Sequence, residues 1–215
     1  MTSFFLRLLL PLVLGLAAPA IHAAGADTRP IMLVLGDSLG AAYGVPAERG
    51  WVALLQKRLD AAGYPARVVN ASVSGETTAG GLARLPALLE RHRPRWVLIE
   101  LGGNDGLRGL PLTRLRDNLR QIGALSRAAG ATPIYFEMRI PTNYGADYAD
   151  GFAASFGEVA RALKAPLVPF FLAEIATDPA SFQDDGIHPT AAVQDKLLDA
   201  VWPTLRRVLA AGASR

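Results

Sequence analysis

The run IMLVLGDSLGAAYG, Ile31–Gly44, decides how the rest of the chain is read. Residues 31–35 are continuously apolar, as expected of a strand buried on both faces, and Gly36-Asp37-Ser38 then turns the chain. Two patterns fit that turn. Read as Gly-x-Ser-x-Gly, residues 36–40 are a sharp elbow in the middle of a long sheet, served by a backbone donor from an earlier strand's loop. Read as Gly-Asp-Ser-Leu, the serine follows the first strand and its partners lie downstream.

Working backward from the stretch, residues 1–30 carry Arg7, an apolar run from Leu8 to about Ile21, and then small residues. This is the layout of a secretory signal peptide. A membrane-spanning helix needs roughly 20 apolar residues; this run is shorter and holds Pro11 and Gly15. Residues 1–24 are therefore expected to be removed, with cleavage between 20 and 26, leaving one domain over 25–215. Export to the periplasm or the medium follows, with no stable membrane span after removal. Ser38 would then lie close to the mature N-terminus, with no room for a preceding sheet, which disfavours the elbow reading.

At 215 residues and 51% hydrophobic content the chain suffices for one domain with a sizeable core. The formal net charge of +3 is small, and basic residues are scattered rather than clustered, so no nucleic-acid footprint is present. With no cysteine, disulfides, thiolate metal sites and a cysteine nucleophile are excluded.

Working forward, apolar strand-like runs at 31–35, 66–70, 95–101, 132–138 and 165–170 alternate with segments of helical periodicity at 50–63, 80–92, 111–130, 148–163 and from Pro189 to about Leu209. Continuous apolar strands separated by helices predict an α/β fold, a three-layer α/β/α sandwich around a parallel five-stranded sheet. Ligands of such sheets sit beyond the carboxyl ends of the strands. The loops there read GDSLGAAYG, NASVSGETTAGG, LGGNDGLRGL, RIPTNYG and FQDDGIHPT.

A serine hydroxyl becomes a useful nucleophile when an imidazole takes its proton, and the imidazole needs a carboxylate to orient it. Taken alone, Asp-Ser after a strand is also an ordinary helix cap. The histidines narrow the choice. His22 belongs to the leader, and His92 ends a charged helix, where a solvated cation is favoured. His188 remains as the candidate base. Asp185 precedes it by three residues, with Gly186 allowing a tight bend, and is favoured over Asp184 as the orienting carboxylate. Gly75 in VSGETT and Asn104 in GGND are candidate donors to a developing oxyanion, against the simpler readings of a turn and an Asx-turn.

The blocks GDSL around Ser38, the Gly75 loop, GGND with Asn104, and DGIHP with Asp185 and His188 together resemble the SGNH (GDSL) hydrolases. LGGNDGLRG, GLARLPALL, RIPTNYG, PFF and QDDGIHP extend the likeness from about Pro30 to the last helix. The resemblance implies a flavodoxin-like sheet of order 2-1-3-4-5 (the SGNH hydrolase fold), no cofactor and no metal. It further implies Ser38 as nucleophile, His188 as base, Asp185 as its orienter, and the Ser38 N–H, Gly75 N–H and Asn104 side chain as oxyanion donors. Gly40 is a departure, because relatives often carry a polar residue there; that bears on the shape of the pocket edge.

The expected activity is hydrolysis of carboxylic esters and thioesters through an acyl-enzyme, with acyl or aryl esters, acyl-CoA-type thioesters and lysophospholipids as small-molecule substrates, acting as a monomer. Leu39, Gly106, Leu107, Arg108, Leu110, Tyr144 and Ile187 form the candidate substrate-binding set. Leu107 and Leu110 are read either as a mobile apolar wall or as a lead-in to the Pro111 helix, Arg108 as an anion contact or a solvated arginine, and Tyr144 as a lining or packing residue. Two other functions compete: a carbohydrate O-deacetylase of the same family, and a non-catalytic exported binding protein.

Overall fold

The structure is a computed structural model in which residues 27–213 are described. The expected leader, residues 1–24, lies outside the described residues.

Parallel strands β1 (Ile31–Gly36), β2 (Arg67–Asn70), β3 (Trp96–Glu100), β4 (Thr132–Phe136) and β5 (Leu167–Val168) form one sheet in the order 2-1-3-4-5. β1 and β3 are the inner pair, in register from Met32↔Trp96 to Gly36↔Glu100. Met32, Leu33, Val34, Leu35, Val97 and Leu98 are fully buried, which is why these strands read as unbroken apolar runs without alternation. β5 is shorter than its apolar sequence suggests, since only Leu167 and Val168 pair with β4.

Helices cover both faces. α1 (Trp51–Ala61) packs against α6 (Gln194–Ala213) on one side, while α2 (Thr78–His92), α4 (Leu112–Ala128) and α5 (Ala146–Ala162) pack in sequence on the other. Trp51, Phe136 and Phe171 form an aromatic cluster under the first layer, and Phe152 meets Phe156 edge to face, centroids 5.2 Å apart, under the second. Buried Tyr135 satisfies its hydroxyl by donating to the Leu119 carbonyl at 2.9 Å, which ties β4 to α4.

The structure differs from the sequence reading at two element boundaries that matter to the site. GGND is not an open loop: Gly103–Leu107 winds into a one-turn helix, α3, anchored by the buried Asp105 carboxylate. Asp105 accepts from the Thr78 N–H at 2.8 Å and the Thr78 hydroxyl at 2.5 Å, and Asn118 donates to that hydroxyl at 3.0 Å. The last helix does not begin at Pro189. Pro189 bridges antiparallel to Phe182, Thr190 donates its N–H to the Ser181 carbonyl at 2.8 Å, and helical backbone resumes only at Ala191–Val193 and then α6. The Pro189 carbonyl receives the Gln183 side chain at 3.2 Å, so the segment is held as a hairpin rather than released into a helix.

Phe152, on α5, is fully buried against the underside of α3, where an added Cβ on Gly106 would lie 2.7 Å from its ring. Phe152→Ala is expected to cost roughly 3–5 kcal/mol of stability, read as a lower urea midpoint with an unchanged m-value.

Candidate active site

Every strand delivers its following loop to the same edge of the sheet, because all connections are parallel crossovers. At that edge Ser38, His188 and Asp185 form one hydrogen-bonded chain. Ser38 Oγ lies 2.8 Å from His188 Nε2, and His188 Nδ1 lies 2.6 Å from Asp185 Oδ2. Asp185 also accepts the backbone N–H groups of Ile187 and His188 at 2.9 Å each. Those His188 contacts, backbone first, then the Ile187 bond, hold the Asp185 carboxyl down at about 2. A carboxylate so held keeps Nδ1 as the donor and leaves the Nε2 lone pair facing the serine hydroxyl. Gly186, at φ +66°, supplies the bend that folds Asp185 back onto His188.

The loop carrying base and acid is fastened to the serine segment. Gln183 accepts from the Gly186 N–H through its carbonyl at 2.8 Å, and its side chain donates to the Tyr43 carbonyl at 2.8 Å. The Tyr43 ring lies against the His188 imidazole, centroids 4.4 Å apart. Gln194, at the start of α6, accepts from the N–H of Trp51, joining the first and last helices.

Asn104 lies in the first turn of α3 with one amide hydrogen directed at Asp37 Oδ2, 3.2 Å away. Gly75 lies in the loop after β2 at φ +79°, and its carbonyl accepts from Arg108 Nη2 at 3.0 Å. A Cβ at 75 would approach nothing closer than 3.9 Å, so the backbone angle rather than crowding calls for glycine.

Beside Ser38 opens a cavity of about 550 Å³, lined among others by Leu39, Asn104, Leu107, Met138, Ile140, Phe170, Leu172, Phe182, Ile187 and His188. Of the candidate substrate contacts, Leu39, Leu107 and Ile187 line it. The others take supporting positions. Gly106 is buried against Phe152 and Ile140. Arg108 reaches the Gly75 carbonyl rather than the cavity. Leu110 accepts from the Tyr148 hydroxyl at 2.7 Å, and the Tyr144 hydroxyl donates to the Leu107 carbonyl at 3.0 Å, so both tyrosines pack the turn that precedes α4 at Pro111. Gly40 is buried beneath the serine turn and not at the pocket edge, since a Cβ there would lie 2.3 Å from Ser72 Oγ. His92 ends α2 at the opposite edge of the sheet.

Sequence reasoning missed most of the apolar lining. Met138, Ile140, Phe170 and Leu172 continue the apolar runs of β4 and β5 past the strand ends, and that overrun is the signal that would have found them. It also missed two buried carboxyls. Glu100, the last residue of β3, is fully buried and accepts the N–H groups of Asp37 at 3.2 Å and Gly40 at 3.1 Å through Oε2. Burial, and then the charge of Asp37, carry the Glu100 carboxyl well above the usual range. Asp37 is also buried, which raises it to about 6 against the lowering effect of the Leu39 N–H. Among the described residues no group of three or more His, Cys, Asp or Glu side chains is arranged to hold a metal ion.

A sequence profile of the GDSL-like lipase/acylhydrolase family matches residues 34–196. The chain is 52% identical over 178 residues to the esterase TesA of Pseudomonas aeruginosa, covering 83% of this chain and 89% of that protein. It is 47% identical over 178 residues to the thioesterase 1/protease 1/lysophospholipase L1 of Escherichia coli K12, covering 83% of each. Among solved structures, the psychrotrophic esterase EstA from a Pseudoalteromonas species, inhibited by monoethylphosphonate, superposes with a TM-score of 0.80 at 42% identity, covering 83% of this chain and 98% of that one.

A carboxyl raised by burial keeps its proton in the native state and loses it on unfolding, so its contribution to stability is present below the unfolded value of 4.5 and is lost as the pH rises towards the native one. Glu100→Gln removes that dependence. Its urea midpoint relative to wild type is expected to rise as the pH is raised above about 5; a constant difference would contradict a raised Glu100.

Proposed function

The chain belongs to the GDSL-like lipase/acylhydrolase family, and from that membership we propose that it is a serine esterase and thioesterase whose acyl-enzyme forms on Ser38. Its substrates are small carboxylic esters and thioesters, among them acyl and aryl esters, acyl-CoA-type thioesters and lysophospholipids. The observation that carries this reading is the unbroken Ser38–His188–Asp185 hydrogen-bonded chain at the mouth of a mainly apolar cavity.

His188 Nε2 takes the Ser38 proton as Oγ bonds to the substrate carbonyl carbon, and the carbonyl electrons move onto oxygen. The Ser38 N–H, the Gly75 N–H and the second amide hydrogen of Asn104 receive that oxyanion. His188 then passes its proton to the departing alkoxide or thiolate. Water attacks the acyl carbon in the second half-reaction, giving its proton to His188, and collapse returns the proton to Ser38. Asp185 stabilises the imidazolium in both halves without itself taking the proton.

The apolar lining supports acyl chains longer than acetyl, which favours this reading over a carbohydrate O-deacetylase. The leader sequence supports action in the periplasm or outside the cell. Among the described residues, no helix is long and apolar enough to cross a membrane.

Ser38→Ala is expected to lower kcat on a p-nitrophenyl ester by roughly 10⁴-fold or more without loss of fold, as for other triads. The same change should abolish labelling by a fluorophosphonate; labelling at another residue, or near-normal turnover, would refute the assignment, and an unlabelled wild type would favour a binding protein. Asn104→Ala is expected to cost about 10²- to 10³-fold in kcat; an effect confined to KM would move Asn104 into substrate binding. Across acetyl to dodecanoyl esters, kcat/KM should rise beyond acetyl, and a maximum at acetyl would favour the deacetylase.

A further inference from the structure

We propose that Glu100 is a positioning residue for the reaction, clamping the Ser38 turn from beneath, while Asp37, carried by that turn, aims the Asn104 amide. The inference rests on the reading of Ser38 as nucleophile and Asn104 as oxyanion donor.

The turn 36–40 is held on its underside by one atom. Glu100 Oε2 accepts from Asp37 N–H and Gly40 N–H, the residues that bracket Ser38 and Leu39. Between them, Asp37 Oδ1 accepts the Leu39 N–H at 3.0 Å and Oδ2 accepts the Asn104 amide at 3.2 Å. With those neighbouring N–H groups engaged below the turn, the rotation of the peptide carrying the Ser38 N–H is fixed. The second route runs through the Asp37 carboxylate, which binds one hydrogen of the Asn104 amide and so directs the other towards the serine. Both carboxyls are cut off from solvent, with Asp37 2% and Glu100 0% exposed.

The chain accommodates this clamp at some expense to packing freedom. A Cβ at Gly36 would lie 2.4 Å from Glu100 Oε2, and one at Gly40 would lie 2.9 Å from it, so glycines at both positions let the carboxyl reach the turn. Glu100 Oε1 and Ser72 Oγ are buried without a hydrogen-bond partner. A side chain kept only for packing would not be a carboxyl with one oxygen orphaned, because leucine would fill the space without that desolvation cost. Burial and the neighbouring Asp37 raise the Glu100 carboxyl, which disfavours a second full charge beside Asp37, and the neutral amide of glutamine reproduces its acceptor.

Wild type, Glu100→Gln, Glu100→Ala and Asp37→Asn are compared on a p-nitrophenyl ester, with rates expressed per folded molecule from circular dichroism. Glu100→Gln should keep kcat within about threefold, whereas Glu100→Ala and Asp37→Asn should each lower it at least about tenfold with KM changed less than about twofold. Near-normal kcat in folded Glu100→Ala, or a tenfold loss in folded Glu100→Gln, overturns the proposal. If Glu100→Ala does not fold, the other two variants decide. Adding Asp37→Asn to Asn104→Ala should cost less than about threefold further, since no amide is left to aim, and full additivity overturns the aiming role. An active Ser38→Ala would instead sink the underlying nucleophile assignment, whatever the clamp variants do.

Discussion

At the carboxyl ends of β1 and β3, Gly36 and Glu100 stand opposite each other, and only one side chain fits between them. That side chain is the carboxyl of Glu100, which turns under the loop following β1 and binds two of its N–H groups. The direction in which Ser38 leaves the sheet depends on this arrangement. Reversing it, with a side chain at 36 and glycine at 100, would leave the turn's N–H groups buried without an acceptor, a penalty of about 1–3 kcal/mol for each group. The inner strand pair therefore does more than close the core; its register fixes where the chemistry begins.

The opposite side of the site is built by short-range folding within a small loop. Asp185, Gly186, Ile187 and His188 form a self-contained turn in which one carboxylate takes two backbone donors and an imidazole. What this turn lacks is any internal means of finding Ser38. The Gln183 contact with Tyr43 supplies it, joining residues 140 apart in sequence, while the Phe182–Pro189 bridge closes the base of the loop. The half-buried Gln183 amide, bonded to the carbonyls of Tyr43 and Pro189, specifies one approach of the loop.

Charge is arranged in two levels. The solvent-facing Asp185 is held ionised by the donors around it, with its carboxyl at about 2. Beneath the serine, burial raises both Asp37 and Glu100, and Asp37, with the Leu39 and Asn104 N–H donors on its two oxygens, is the one that ionises first. One carboxylate then faces the imidazole and another faces the Asn104 amide, while burial and the charge of Asp37 disfavour ionisation of Glu100. Like charges packed closely in a low dielectric force their titrations apart in this way.

The sequence by itself determined the layered α/β architecture, because strands buried on both faces must be continuously apolar and helices covering them must be amphipathic. It also singled out Ser38, His188 and Asp185, since the chain offers few histidines and a carboxylate three residues from an imidazole can reach it through a local bend. Gly75 and Asn104 were legible as polar or glycine-bearing strand-end loops. The tertiary structure alone decided which apolar residues make the cavity, as Met138, Ile140, Phe170 and Leu172 look like core residues until the strands are seen to stop short of them. It placed Gly40 and Gly106 in the packing beneath the site, and the exposed Arg108 on the Gly75 carbonyl. It also gave Glu100 its place. A glutamate ending an apolar strand is silent in one dimension, since its partners are backbone N–H groups 60 and 63 residues away that any sequence would possess.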